Sequence, residues 1–381
     1  MKPVYFDNAA TTQIREEVIT SMRSVMENNY GNPSSSHSFG RASKALVEQS
    51  RKTIASFFNV LASEIIFTSG GTEADNLVLR SAVRDLGVEE IITSKIEHHA
   101  VLHTIDALVE EYNVTVKYVK LDLNGSIDLL HLESLLQNTT KKQLVSLMQI
   151  NNEIGNILDV KTVAEMCKAH DALFHTDAVQ SVGHYHLDLQ EVKIDFLAAS
   201  AHKFHGPKGV GFAVVRKNTG LKPLIFGGEQ ERGLRAGTES VHNIVGMETA
   251  LKYAYGNLEK EALYIKNLKQ YFVNKITKTI PEVVFNGLSN DMDKSAYTLV
   301  NICLPTTLGS ASMLQFQLDL KGIACSRGSA CQSGSAQVSH VLTEILSDDA
   351  IKKPSLRFSF SIYNTTEEID YVVETLKSFC Y

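Results

Sequence analysis

The 381-residue chain carries no excess of basic charge: 37 lysines and arginines stand against 43 aspartates and glutamates, a net charge of −6. The charges are spread along the chain. This balance argues against a general nucleic-acid binder and against a polybasic membrane surface. No apolar run approaches the roughly 18 residues of a membrane span. The run Met1-Lys2-Pro3-Val4-Tyr5-Phe6-Asp7 reaches an acid before a signal-peptide core can form. The expectation is a soluble, cytoplasmic protein. Cysteine is scarce: Cys167, Cys303, Cys325, Cys331 and Cys380. An odd, sparse count favours free thiols in a reducing compartment over a disulfide framework. There is no Cys-x-x-Cys, and no paired histidines accompany Cys325 and Cys331, so no metal site is expected. Internal repeats, low-complexity tracts and long charged linkers are missing too.

What is present suits a globular protein of two or three domains of about 150 residues each. Short apolar runs alternate with helix-period segments from about residue 40 to 215. Strands are predicted at 64–68, 90–93, 114–121, 143–149, 172–175, 195–199 and 210–215, with helices at 128–137 and 161–169. Such alternation points to an α/β fold with a mostly parallel sheet. Near residue 250 the character changes to a helix over 258–277, short strands at 283–286 and 298–304, and a closing helix over 367–379. That region reads as a smaller α+β domain.

Three motifs carry chemistry. In Thr68-Ser69-Gly70-Gly71-Thr72-Glu73, two glycines end a strand and a helix begins at Thr72. Unpaired N–H groups and the positive end of a helix make a phosphate cradle there; a plain strand–turn–helix joint is the equally common alternative. The spacing matches neither Walker A nor G-x-G-x-x-G, which disfavours nucleotide binding. In His175-Thr176-Asp177-Ala178-Val179-Gln180, Asp177 follows a strand at the end where α/β sheets bind ligands. It is placed to hold a cationic ring nitrogen, with Gln180 in reach of the same ligand, although a lone Asp is more commonly a turn or cap residue. In Ser200-Ala201-His202-Lys203, followed by Gly206-Pro207-Lys208-Gly209, a strand runs into a lysine that partial desolvation would ready for a Schiff base. Most lysines are merely solvated. The combination changes the odds. Phosphate, ring nitrogen and aldehyde are the three handles of pyridoxal 5′-phosphate.

The sequence resembles the cysteine desulfurases of the NifS/IscS type within the class V aminotransferase family. The matching stretches run in order through Tyr5-Phe6-Asp7-Asn8-Ala9-Ala10-Thr11-Thr12, Gly31-Asn32-Pro33, Phe67 to Glu73, Thr93 to His98, Asn151-Asn152-Glu153-Ile154-Gly155, Asp177 to Ser181, His202-Lys203, Arg235-Ala236-Gly237-Thr238, Gly328-Ser329-Ala330-Cys331 and Leu356-Arg357-Phe358-Ser359. The resemblance implies fold type I of the pyridoxal-phosphate transferases. A large domain would span 13–255. A small domain would combine 1–12 with 256–381 and carry the catalytic cysteine loop at about 323–336. It implies that Lys203 holds the cofactor covalently and shuttles protons, that Asp177 pairs with the ring nitrogen, and that Gln180 bonds the ring's phenolic oxygen. His98 would stack on the ring and act as acid or base. Gly71, Thr72, Ser200 and His202 would bind the phosphate. Thr238 would reach the phosphate of a neighbouring subunit in a homodimer. Asn152 would lie against cofactor and substrate, and Arg357 would bind the substrate carboxylate through its planar fork.

Cys331 lies in a run of small, polar residues from Ser326 to Ser335, as a travelling sulfur carrier requires. The expected activity is removal of sulfur from L-cysteine, giving L-alanine and a persulfide on Cys331 for a sulfur-acceptor protein, an iron–sulfur scaffold or a sulfur carrier. The alternative is another pyridoxal enzyme of the fold, a selenocysteine lyase or an aminotransferase, in which Cys331 is dispensable. Cys325 is expected to be a buried strand-end thiol, with a resolving partner for Cys331 as the alternative. Position 205 is His where relatives often carry Tyr. The chain stops soon after its last helix, without the longer tail some members use to dock a scaffold.

Overall fold

The computed structural model describes residues 3–137, 139–216, 220–306, 311–327 and 339–380. In chain order its elements are β1 (Val4–Tyr5), α1 (Glu16–Asn28), α2 (Ser38–Phe57), β2 (Ile65–Thr68), α3 (Gly71–Arg84), β3 (Glu90–Thr93), α4 (His99–Tyr112), β4 (Thr115–Tyr118), α5 (Leu129–Gln137), β5 (Gln143–Ser146), α6 (Val160–Ala169), β6 (Leu173–Asp177), β7 (Phe196–Ser200) and β8 (Gly211–Val215). There follow α7 (Val241–Gly256), α8 (Leu258–Thr279), β9 (Val284–Phe285), β10 (Leu299–Cys303), α9 (Ala311–Leu320), β11 (Ile323–Ala324), α10 (His340–Ile345), β12 (Ser355–Ser359) and α11 (Thr366–Lys377).

Seven strands form the main sheet in the order β2-β8-β7-β6-β5-β3-β4. All pairings are parallel except the two made by β8, which runs against both β2 and β7. Strands β2, β3, β5, β7 and β8 are buried along their whole length. That explains their continuous apolar runs, since both faces of the sheet are covered by helices. The edge strand β4 is only partly covered. It carries Lys117, whose Nζ lies 3.0 Å from Glu90 Oε1, and charge of this kind discourages pairing with another chain.

Because β2 and β7 both oppose β8, they are parallel to each other. The carboxyl ends of β2, β3, β5, β6 and β7 therefore meet at one edge of the sheet. Gly211 opens β8 at that same edge. A Cβ on it would sit 2.4 Å from the Ala199 carbonyl and 2.8 Å from Gly70 Cα, so only glycine allows the strands to close up here.

The second assembly is a three-stranded antiparallel sheet, β12-β10-β9, with α8 and α11 packed together beside it. Phe6, Phe272, Phe358 and Phe360 form its buried aromatic centre; the Phe6 and Phe360 rings lie 5.1 Å apart and the Phe272 and Phe358 rings 5.2 Å. Phe6 reaches this core because β1 pairs in parallel with β11, joining the start of the chain to a strand more than 300 residues later. No described helix is long and apolar enough to cross a membrane.

Candidate active site

The edge where the five strands end is a cleft with about 150 Å³ of open volume. Gly71, Thr72, Ser200, His202 and Lys203 line it, as do Asp177, Gln180, His98, Asn152 and Arg357. Ten of the residues singled out from the sequence are thus brought together.

Each arrives by local geometry. Gly70 has φ +155°, a backbone setting that favours glycine, and it turns β2 into α3. A Cβ on Gly71 would lie 2.6 Å from Val179 Cγ2, so the start of α3 is pressed against the end of β6. The first N–H groups of α3 have no partner within the helix. Ser200 ends β7, and a single 3₁₀ turn over Ala201–Lys203 swings Lys203 back across the cleft. Lys203 Nζ donates to the carbonyls of Ala9 and Ala10, at 2.6 and 2.9 Å. Gln180 Nε2 donates to the same Ala9 carbonyl at 2.9 Å.

Asp177 is buried and accepts from the Val179 N–H at 2.9 Å. Burial pushes its carboxyl up, while that N–H and the Lys203 charge pull it down. His98 caps α4: its Nδ1 accepts from the Ala100 N–H at 3.1 Å, which leaves the ring proton on Nε2. Burial, with the Lys203 charge, lowers its pKa to about 4, so the ring is neutral and suited to stacking. His202 is lowered to about 4 for the same reasons. Its Nδ1 is buried and has no hydrogen-bond partner among the described residues.

Arg357 on β12 is fully buried. Its Nη1 donates to the Asn152 carbonyl at 2.7 Å and its Nη2 to Asp7 Oδ1 at 2.9 Å, while its Nε has no partner among the described residues. An arginine buried in this way, with donor capacity to spare, is not a surface ion pair and can take a further carboxylate.

Thr238 does not line the cleft of its own chain and is exposed. Cys331 lies outside the described residues. Cys325 is buried, and burial pushes its thiol up to about 12, which fits an inert structural cysteine. No group of metal-ligating side chains is found among the described residues. Sequence reasoning missed Asp75 and Met148, which also line the cleft. For Asp75 a signal existed: it stands four residues after Gly71, on the same face of α3.

The cleft suits pyridoxal phosphate. A helix start with hydroxyls and a half-buried imidazole can accept an anion, a buried carboxylate can accept a ring cation, and a lysine lines the same cleft.

The aminotransferase class-V pattern matches residues 4–372. A cysteine desulfurase IscS of Dictyoglomus turgidum is 40% identical over 379 residues, covering 99% of this chain and 94% of the relative. The chain belongs to the aminotransferase class-V family. Among solved structures, a NifS-like protein superposes with a TM-score of 0.89 at 35% identity, covering 99% of this chain and 98% of the other. SspA, solved in complex with cysteine, gives a TM-score of 0.80 at 31% identity over 95% of this chain and all of the other. The family is pyridoxal-phosphate dependent, and the architecture is that of its fold type I. Class-V members similar to this chain along its length are named cysteine desulfurases.

Proposed function

We propose that this protein is a pyridoxal-phosphate-dependent cysteine desulfurase, which moves the sulfur of L-cysteine onto Cys331 and leaves L-alanine. The convergence of Lys203, Asp177, the α3 start and buried Arg357 in one cleft carries the reading. Bound there, the cofactor supplies a protonated ring that draws electrons from the substrate carbons.

The chain's own residues do the rest. Gly71, Thr72, Ser200 and His202 hold the phosphate. Asp177, an anion without water around it, keeps the ring nitrogen protonated. Gln180 donates to the ring oxygen, and neutral His98 packs on the ring. Arg357 and Asn152 fix the substrate carboxylate. Lys203 Nζ takes the proton from the substrate Cα and returns it. The Cys331 thiolate attacks the substrate sulfur. A sulfur–sulfur bond forms, the Cβ–S bond breaks, and the electron pair left on carbon gains a proton, giving alanine and a persulfide.

The flanks of the 328–338 segment support a role for Cys331 here. Before it, Ser326 pairs with Arg357. After it, His340 Nε2 lies 2.9 Å from the Glu97 carbonyl, next to His98. Cys331 stands five residues beyond Ser326, and a chain of that length reaches about 17 Å. A free thiol has a pKa near 8.5 and is only a few per cent ionised at neutral pH.

The same reading includes a division into a large domain over 13–255 and a small domain from 1–12 with 256–381, supported by the separate apolar clusters around each sheet. It includes a cytoplasmic homodimer in which Thr238 completes the neighbour's phosphate site, and a protein that accepts the persulfide sulfur, an iron–sulfur scaffold or sulfur carrier.

The test is product analysis. With L-cysteine and a thiol reductant, the reading requires alanine and sulfide in equal amounts. A keto acid in place of alanine would make the protein an aminotransferase.

A further inference from the structure

The cleft holds a second aspartate that the steps above do not use. Asp75 lies on α3 and is 1% exposed. His175 lies on β6 two residues before Asp177, so the two side chains share one face of the sheet. Ser146 of β5 is paired directly with His175 across the parallel ladder. Contacts link the three in a line. Ser146 Oγ lies 2.9 Å from His175 Nδ1, and His175 Nε2 lies 3.4 Å from Asp75 Oδ1. All three side chains are buried, and neither Nε2 nor Oδ1 has a hydrogen-bond partner among the described residues. The two atoms are close but not aligned as a hydrogen bond, so Asp75 Oδ1 is a buried oxygen that no described donor serves.

The surrounding charges decide who carries protons. Burial drives the His175 pKa down to about 3, so its ring is neutral. Asp75 is pushed well above the carboxylate range by burial and by the nearby Asp177 and Glu97 carboxyls. Glu97 is itself pushed up to about 8, chiefly by burial, although Ser94 Oγ and the Met148 N–H both donate to it. Asp177 alone has the Lys203 charge beside it. Carboxyls crowded in a dry site do not all ionise, and the one facing the cation does so first.

We propose that Asp75 is a positioning residue: a neutral carboxylic acid, tied through His175 to Ser146, that leaves Asp177 as the anion meeting the cofactor ring. Ser146 donates to Nδ1, the neutral imidazole lies against the Asp75 carboxyl, and a buried carboxyl whose Oδ1 meets no described donor keeps its proton. The inference rests on the pyridoxal-phosphate reading of the cleft.

Two readouts test it without turnover. The first is the infrared difference between the protein as isolated and Asp75→Asn at neutral pH. The expected result is loss of a protonated-carboxyl C=O stretch. Loss of carboxylate stretches alone would overturn the proposal, whether or not cofactor is bound. In His175→Phe that C=O stretch should persist at higher frequency, because the polar ring beside it is gone; an unmoved band would remove His175 from the arrangement and overturn it. The second readout is the pH titration of the absorbance of bound pyridoxal phosphate. Asp75→Asn, a neutral mimic, should keep the midpoint within about 0.3 unit of wild type, whereas Asp75→Leu should move it by about half a unit or more. A shift of about one unit in Asp75→Asn would show that Asp75 is charged and overturn the proposal. Equal midpoints in the two variants would reduce Asp75 to packing and also overturn it. If Asp75→Leu does not fold, Asp75→Asn decides alone. Failure to bind pyridoxal phosphate at all, in wild type, would instead defeat the reading of the cleft.

Discussion

Arg357 and Ser326 are bonded main chain to main chain in both directions, Arg357 N–H to the Ser326 carbonyl at 2.7 Å and Ser326 N–H to the Arg357 carbonyl at 3.1 Å. The strand that carries the cleft-lining Arg357 is thus bonded to Ser326, five residues before Cys331 in the chain.

Arg357→Lys keeps the charge but loses the planar fork. Losing one charge-assisted hydrogen bond costs about 1.5–3 kcal/mol, so KM for L-cysteine should rise about 10- to 100-fold. The absorbance of bound pyridoxal phosphate should be unchanged. Steady-state kinetics with a cofactor titration checks both; an unchanged KM removes Arg357 from the carboxylate site.

Lys203→Ala should still bind pyridoxal phosphate, held by its phosphate and ring contacts, yet turn over no cysteine. In wild type, borohydride reduction followed by peptide mapping should place the cofactor on Lys203. A label on another lysine contradicts the assignment.

If Thr238 completes the neighbour's site, mixed Lys203→Ala and Thr238→Ala subunits form hybrid dimers with one intact site each. Activity after verified subunit exchange should exceed that of either variant alone. No gain, with Thr238→Ala itself impaired, means that Thr238 acts within its own chain.

The contribution of Glu97 to the stability of the cofactor-free protein should fall as pH rises from about 4.5 to about 8. Glu97 has its folded pKa raised to about 8 from an ordinary 4.5. A raised folded pKa means that the stabilising proton is fully present below the unfolded value and is lost through the folded one. Glu97→Gln should flatten the slope, Asp75 supplying part of what remains. Urea midpoints at pH 6.5 and 8.5 measure it; an unchanged slope shows that Glu97 is already ionised.

Local patterns made much of this legible. Continuous apolar runs marked β2, β3, β5 and β7 because both of their faces are covered. Glycines and strand-end residues marked the cleft because a phosphate cradle and a strand terminus are local structures. The reversed β8 lying between β2 and β7, and β1 pairing with β11, left no local trace, since such pairings join segments far apart in the chain. Asp75 stands one turn after Gly71, but the His175 it lies against is on another element, so that contact left no local trace. Asp7 was read as part of a motif, and its bond to Arg357 is visible only once both ends of the chain meet in one core.

The most direct measurement is mass spectrometry of the protein after a single exposure to isotopically labelled L-cysteine without reductant, in wild type, Cys331→Ala and Cys325→Ala. One added labelled sulfur on the peptide containing Cys331, with full transfer in Cys325→Ala and none in Cys331→Ala, is the predicted result. Labelled sulfur on Cys325, or alanine formed at an undiminished rate by Cys331→Ala, would contradict it.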